Sequence, residues 1–188
     1  MDQELTRCGW CEGIGLYEDY HDQEWGRPVW DETKMFEFLL LETFQAGLSW
    51  ITVLKKREAF REVFHAFDIQ KVASMPQSEL EAAMANPSII RNKAKILAAV
   101  HNAKCVETMH ANGTTLVDFF WRYVNGTPIV NHWKSLAEIP AITPLAEQIS
   151  SDLKKLGFKF VGPTVIYAHM QATGMVNDHL VGCSFRNG

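Results

Sequence analysis

No stretch of this sequence approaches the roughly 18 consecutive apolar residues that a membrane-crossing helix needs. The opening MDQELTRCGW has neither the basic head nor the apolar run of a secretory signal, so a cytoplasmic location is the expectation and no membrane partner is. Positive charge is not in excess either: 18 Lys and Arg face 22 Asp and Glu, a net charge of −4. Global attraction therefore cannot hold a nucleic acid, and such a role requires a local basic face. Four cysteines in a cytosolic chain speak against a disulfide framework. Also missing are alternating apolar and polar runs between hairpin turns, linkers, repeats and low-complexity segments. A sheet has little to recommend it.

What remains is helical. With 188 residues, 47% hydrophobic and 21% charged, the chain can bury a real core, and the expectation is one all-α globular domain over residues 1–188. Asp31 is placed to cap a helix reaching about Phe44, and Ser49 to cap another over WITVLKKREAFREVF. Ser78 and Glu81 have the spacing of a capping box, in a helix ended by Pro87. A long helix spans about Ile89–Asn112 and stops at Gly113. DFFWRYV follows, up to Gly126. Thr143–Pro144 opens a helix ending at Gly157, and Pro163 opens the last, up to Gly174.

The chain is organised around Leu39–Arg57. Glu42 directly follows the mostly aliphatic and aromatic run Phe36–Leu41. On pattern alone it either sits on the wet face of a helix or lines an aromatic pocket that binds something cationic or rich in donors, because a lone buried carboxylate is costly. Trp10, Tyr17, Tyr20, Trp25 and Trp50 lie on both sides of it in sequence. They are core fillers, or rings whose faces attract a flat cation, as in proteins that rotate a base out of DNA.

Two further clusters stand out. LGFKFVGPT at 156–164 sets Gly157 and Gly162 around a short turn, with Lys154, Lys155 and Lys159 beside it. Free amides at the following helix start form an anion site suited to a phosphate backbone, or the segment is simply a bundle corner. At the chain ends, Cys8 and His21 are separated by twelve residues, and His179 and Cys183 stand four apart. Two thiolates and two imidazoles suit a structural zinc that staples the termini. Cys8 and Cys11 could instead form a zinc knuckle or redox pair, or the four residues could be unrelated.

RCGW at 7–10, YHDQEWG at 20–26, LETFQAGLSWITVLKKRE at 41–58, IIRNKAKI at 89–96, GFKFVGPT at 157–164 and VNDHLVGC at 176–183 resemble the bacterial DNA-3-methyladenine glycosylase I family. That family lies within the helix–hairpin–helix glycosylase superfamily, and the resemblance covers nearly the whole chain. It implies a helix–hairpin–helix glycosylase fold, with the hairpin element at 143–174 and zinc-binding termini at 8–21 and 179–183. It implies one structural zinc on Cys8, His21, His179 and Cys183, with Cys11 left out. Glu42 and Tyr20 match the residues that hydrogen-bond the extruded base, with Trp50 and Tyr17 against it and Trp10 and Trp25 as walls. Gly47 and Leu48 match the turn that enters the duplex; Gly157, Lys159 and Gly162 belong to the phosphate-binding hairpin.

The activity so implied is removal of 3-methyladenine from alkylated double-stranded DNA by a monomer that releases the free base and opens base excision repair. One departure concerns the superfamily. Asn177 stands where many of its members carry a catalytic aspartate, and Asp178, one residue on, is not nominated in its place. No lysine takes a nucleophile's position, so hydrolysis without a lyase step is expected. Two other classes remain open: a non-catalytic binder of damaged DNA, and a regulator in which CGWC titrates.

Overall fold

In the computed structural model, which describes residues 5–187, helix dominates. The first helix, α1 (Gly15–Gln23), was not anticipated. Its sequence GLYEDYHDQ carries little apolar pattern, and Ile14 at its start provides no side-chain cap. Tyr17, Tyr20 and His21 fall on one face at helical spacing, and Tyr20 and His21 are buried. The next helix, α2 (Glu32–Gln45), opens as expected, with Asp31 Oδ1 accepting from Lys34 N at 2.7 Å.

Every residue of α2 from Met35 to Phe44 is buried. A helix apolar on all sides belongs at the centre of a bundle. Around it pack α3 (Trp50–Leu54), α7 (Lys93–Ala111), α8 (Leu116–Trp121) and α10 (Pro163–Ala172). The remaining helices are α4 (Arg57–Val63), α5 (Ile69–Ala73), α6 (Gln77–Ala85) and α9 (Pro144–Lys155). One continuous apolar cluster runs through them, from Cys8 to Cys183. No helix among the described residues is long and apolar enough to cross a membrane.

Three expectations change. The helix expected from Ser49 is broken between α3 and α4, where Lys56 Nζ turns out to the carbonyls of Pro87 and Ser88 (3.1 Å each) and Arg57 turns inward. Ser49 holds the N-terminal position, but its hydroxyl meets Thr52 Oγ1 at 2.8 Å rather than a backbone amide. The Ser78–Glu81 capping box does not form. Helix α6 begins two residues earlier than such a cap requires, at Gln77 with Pro76 in the cap position, and Glu81 accepts from Gln77 Nε2 at 2.9 Å. Finally, the fold is not purely helical: β1 (Ile129–Val130) pairs in parallel with β2 (Val176–Asn177). Two residues per strand leave no alternation to read.

Helices α9 and α10 pack together across a tight turn. Thr143 Oγ1 accepts from Ala146 N at 3.2 Å with Pro144 next, the expected start. Gly157, at φ +92°, ends α9 in the left-handed region that side chains rarely enter.

Candidate active site and metal centre

Tyr17 and Tyr20 from α1, Glu42 and Gln45 from α2, and Trp50 from α3 converge with Trp10 and Trp25 on one cavity of about 220 Å³. Ala168 and Gln171 of α10, with Ile139, close its other side. The rings form a cage: Trp10 lies 4.8 Å from Tyr17 and 5.1 Å from Trp25, and Tyr20 lies 5.5 Å from Trp50, centroid to centroid. All six sequence-nominated aromatic and acidic residues of the pocket meet here. Gln171, Gln45, Ala168 and Ile139 were missed, because nothing local marks a helix residue that faces a site assembled from distant segments.

Glu42 is 3% exposed, which removes the wet-face alternative. Its Oε2 has no hydrogen-bond partner, and neither does the buried Nε1–H of Trp50. Burial alone pushes the Glu42 carboxyl up to about 8. Burial likewise raises the Tyr20 phenol well above its ordinary value, so it stays a donor. Buried polar atoms left without partners are rare in proteins, and here they line the same cavity. Such a site is built to be completed by a ligand.

Glu37, one and a half turns earlier on α2, shows the contrast. It is equally buried but accepts from Arg57 Nε at 2.7 Å and Arg61 Nη2 at 3.0 Å. Arg57 also grips Glu24 through two bonds of 2.7 and 2.9 Å, tying the end of α1 to α2 and α4. Burial opposes ionising Glu24, but its bonds to Arg57 and Lys34 outweigh that and bring it down to about 2. Arg57 of the KKRE string thus ties together the helices that carry Tyr20 and Glu42.

Behind the aromatic wall, Cys8, His21, His179 and Cys183 are all buried with ligand atoms within 4.8 Å of one another. Sγ of Cys183 lies 3.3 Å from His179 Nδ1 and 3.6 Å from His21 Nε2, and Cys8 Sγ lies 3.6 Å from His179 Nδ1. Ordinary zinc–ligand bonds at tetrahedral angles place S and N roughly 3.5 Å apart. The far ring nitrogens are engaged: His21 Nδ1 donates to Asp22 at 2.7 Å and His179 Nε2 to the Trp25 carbonyl at 3.0 Å. Each imidazole therefore turns a lone pair inward. Burial pushes the His179 imidazole down to about 4, keeping it neutral. Donor chemistry, spacing and tautomers fit a structural metal. Cys11 lies outside the cluster, which leaves it out of a shared knuckle with Cys8, and burial pushes its thiol up to about 11, which does not suit a reactive redox pair.

Two exposed elements flank this body. After α2 the chain turns at Gly47 (φ +80°), where a left-handed residue is required, and presents Leu48, 42% exposed. Lys95 Nζ of α7 donates to the Phe44 and Ala46 carbonyls just before it (3.2 and 3.4 Å). Two turns along the same face of α7, Asn102 clamps the backbone of Lys159 in both directions, at 3.0 and 2.8 Å. Ser150 Oγ holds the Val161 carbonyl at 2.6 Å. These three bonds hold the backbone of the α9–α10 turn. A Cβ added at Gly162 would meet nothing within 4 Å, so the space over the start of α10 is open.

A cavity walled by aromatic rings and holding an unsatisfied carboxylate defines a protein suited to bind a flat, donor-bearing heterocycle. The family is particular. Residues 10–187 match the family model described as Methyladenine glycosylase, and the chain belongs to that family. It is 50% identical over 179 residues to DNA-3-methyladenine glycosylase 1 of Escherichia coli (strain K12), covering 95% of this chain and 96% of that protein. A crystal structure of 3-methyladenine DNA glycosylase I superposes with a TM-score of 0.93 at 47% identity, covering 95% and 98% of the two chains. A Staphylococcus aureus structure described as the basis of 3-methyladenine recognition superposes at 0.91 with 34% identity, covering 98% of each. The resemblance read from the motifs is borne out, and with it an enzyme of the N-glycosidic hydrolase type.

Proposed function

We propose that the protein rotates a 3-methylated adenine out of double-stranded DNA into this cavity and hydrolyses its glycosidic bond, beginning base excision repair as a cytoplasmic monomer. The observation that carries this reading is the unpartnered Glu42 carboxyl inside the cage of rings. Methylation at N3 gives the purine a positive charge, which the ring faces and an ionised Glu42 both favour. Normal adenine gains neither. Glu42, Tyr20 and the Trp50 Nε1–H supply polar contacts to the base edge.

Charge on the base already weakens the bond to the sugar. As that bond breaks, its electron pair passes to the purine and cancels the charge, and a water oxygen bonds to the sugar carbon and releases a proton to solvent. No lysine lines the cavity, which supports water as nucleophile and a reaction without a lyase step. Leu48 and Gly47 enter the duplex beside the vacated position. The hairpin around Gly157, Lys159 and Gly162 takes a backbone phosphate on the free amides at the start of α10. Zinc on Cys8, His21, His179 and Cys183 would act as a structural ion, fastening the segment that carries Trp10 and Trp25 to the C-terminal segment.

Release of free base from methylated duplex DNA, separated by chromatography, tests this reading. Wild-type protein should liberate 3-methyladenine, and Glu42→Gln should remain folded yet lose base affinity and release. Equal rates for the two would remove Glu42 from the chemistry. Tight binding to the lesion with no release would favour the binder of damaged DNA.

A further inference from the structure

Asp178 is fully buried and accepts four hydrogen bonds: from Tyr167 Oη at 2.5 Å, Asn131 Nδ2 at 2.7 Å, Trp133 Nε1 at 2.8 Å and Gln171 Nε2 at 2.9 Å. Four donors match the four lone-pair positions of a carboxylate, so the group is saturated and has no capacity left for a substrate. It is not a catalytic residue. Its effect falls on Gln171, which lines the cavity from α10.

A glutamine amide has a donor end and an acceptor end that can exchange by rotation. Here they cannot exchange freely. Turned over, the amide would set its oxygen against the carboxylate, two acceptors facing each other at hydrogen-bond distance. With Nε2 committed to Asp178, the free end is Oε1. Gln171 thus brings to the cavity lining an amide whose donor end is taken, which leaves Oε1 as its free polar atom.

We propose that Gln171 is a specificity-determining residue of the cavity. Its Oε1, turned inward by the positioning residue Asp178, accepts from the exocyclic amine of an N-alkylated 6-aminopurine and disfavours a purine with an oxo group there. This rests on the cavity being the base pocket, and it adds the edge that the pocket reads. The oxo analogue would bring an acceptor against Oε1 and leave both without a partner, which is how a hydrogen-bonding site rejects a near-isostere.

The test is calorimetric binding of 3-methyladenine and 3-methylhypoxanthine to wild type, Gln171→Met and Asp178→Asn, with melting curves for each. Methionine keeps the length and helix propensity of glutamine, so the fold should hold. Wild type should prefer 3-methyladenine, and Gln171→Met should lose about tenfold of that preference while staying folded at the assay temperature, its melting temperature lowered by the loss of one of the four bonds to Asp178. Asp178→Asn, which frees the amide to rotate, should narrow the preference with Gln171 still in place; a purely structural Asp178 would lower melting and leave the ratio alone. If Gln171→Met keeps the wild-type ratio, the proposal is overturned while the pocket reading stands. If wild type binds neither purine, both are overturned.

Discussion

His179 Nε2 donates to the backbone carbonyl of Trp25 at 3.0 Å, and the two rings meet edge to face at 4.7 Å. One residue belongs to the cluster of thiols and imidazoles and the other to the wall of the cavity. The candidate metal cluster and the pocket are therefore neighbours that share a hydrogen bond, although 154 positions separate its two partners in sequence.

If that cluster holds zinc, one equivalent should be retained on purification. Chelation should lower the melting temperature without abolishing base release in molecules that remain folded. Asp22 orients His21 and is itself gripped by Arg7 at 2.8–3.1 Å. Asp22→Ala should weaken zinc affinity on the order of 10–100-fold, measured by competition with a chromogenic chelator.

Glu42 should give the stability curve an unusual slope. Its carboxyl is raised from 4.5 to about 8 by burial, so the folded protein keeps a proton that the unfolded chain gives up. Stability from this group is complete below about 4.5 and is lost as pH rises toward about 8, at no more than ~1.4 kcal/mol per pH unit. Urea unfolding of wild type and Glu42→Gln across that window should show the difference, with the variant lacking this slope.

The same proton competes with a cationic base. kcat/KM on methylated DNA should climb with pH until about 8 and then level. A profile flat through this range would mean that ionised Glu42 does not contribute to capture.

Arg57→Ala should be the most damaging change outside the cavity. It strips the buried Glu37 of one partner and Glu24 of two bonds, a loss of about 3–5 kcal/mol where a buried pair is broken from one side. Chemical denaturation measures it. A loss under about 1 kcal/mol would place the network with ordinary surface pairs.

Asn102→Ala should separate DNA binding from base binding. The hairpin loses both clamps on Lys159, so affinity for methylated and unmethylated duplex should fall together, by about tenfold. Binding of free 3-methyladenine should not change. A parallel loss of both would point to general loosening of the fold instead.

Helix starts were legible where a cap lies within three residues of its amide, as at Asp31 and Thr143. Ser78 had the same pattern and failed, because Pro76 had already begun the turn. Helix α1 was invisible: its partners are the metal cluster and the aromatic wall, and an amphipathic pattern needs more apolar residues than it carries. Glu42 could be recognised as costly but not located, since exposure depends on what packs against α2.

By itself, the sequence determined the helical character, the Gly- and Pro-bounded turn between α9 and α10, and the supply of two thiols and two imidazoles at the chain ends. These follow from bonds and dihedral preferences within a few residues of each other. Only the tertiary structure decided that Glu42 and Trp50 share a cavity without partners, that Gln171 lines it, and that Asp178 accepts from that amide. Each of those depends on desolvation and on contacts between distant segments, and neither exists until the chain has closed around its central helix.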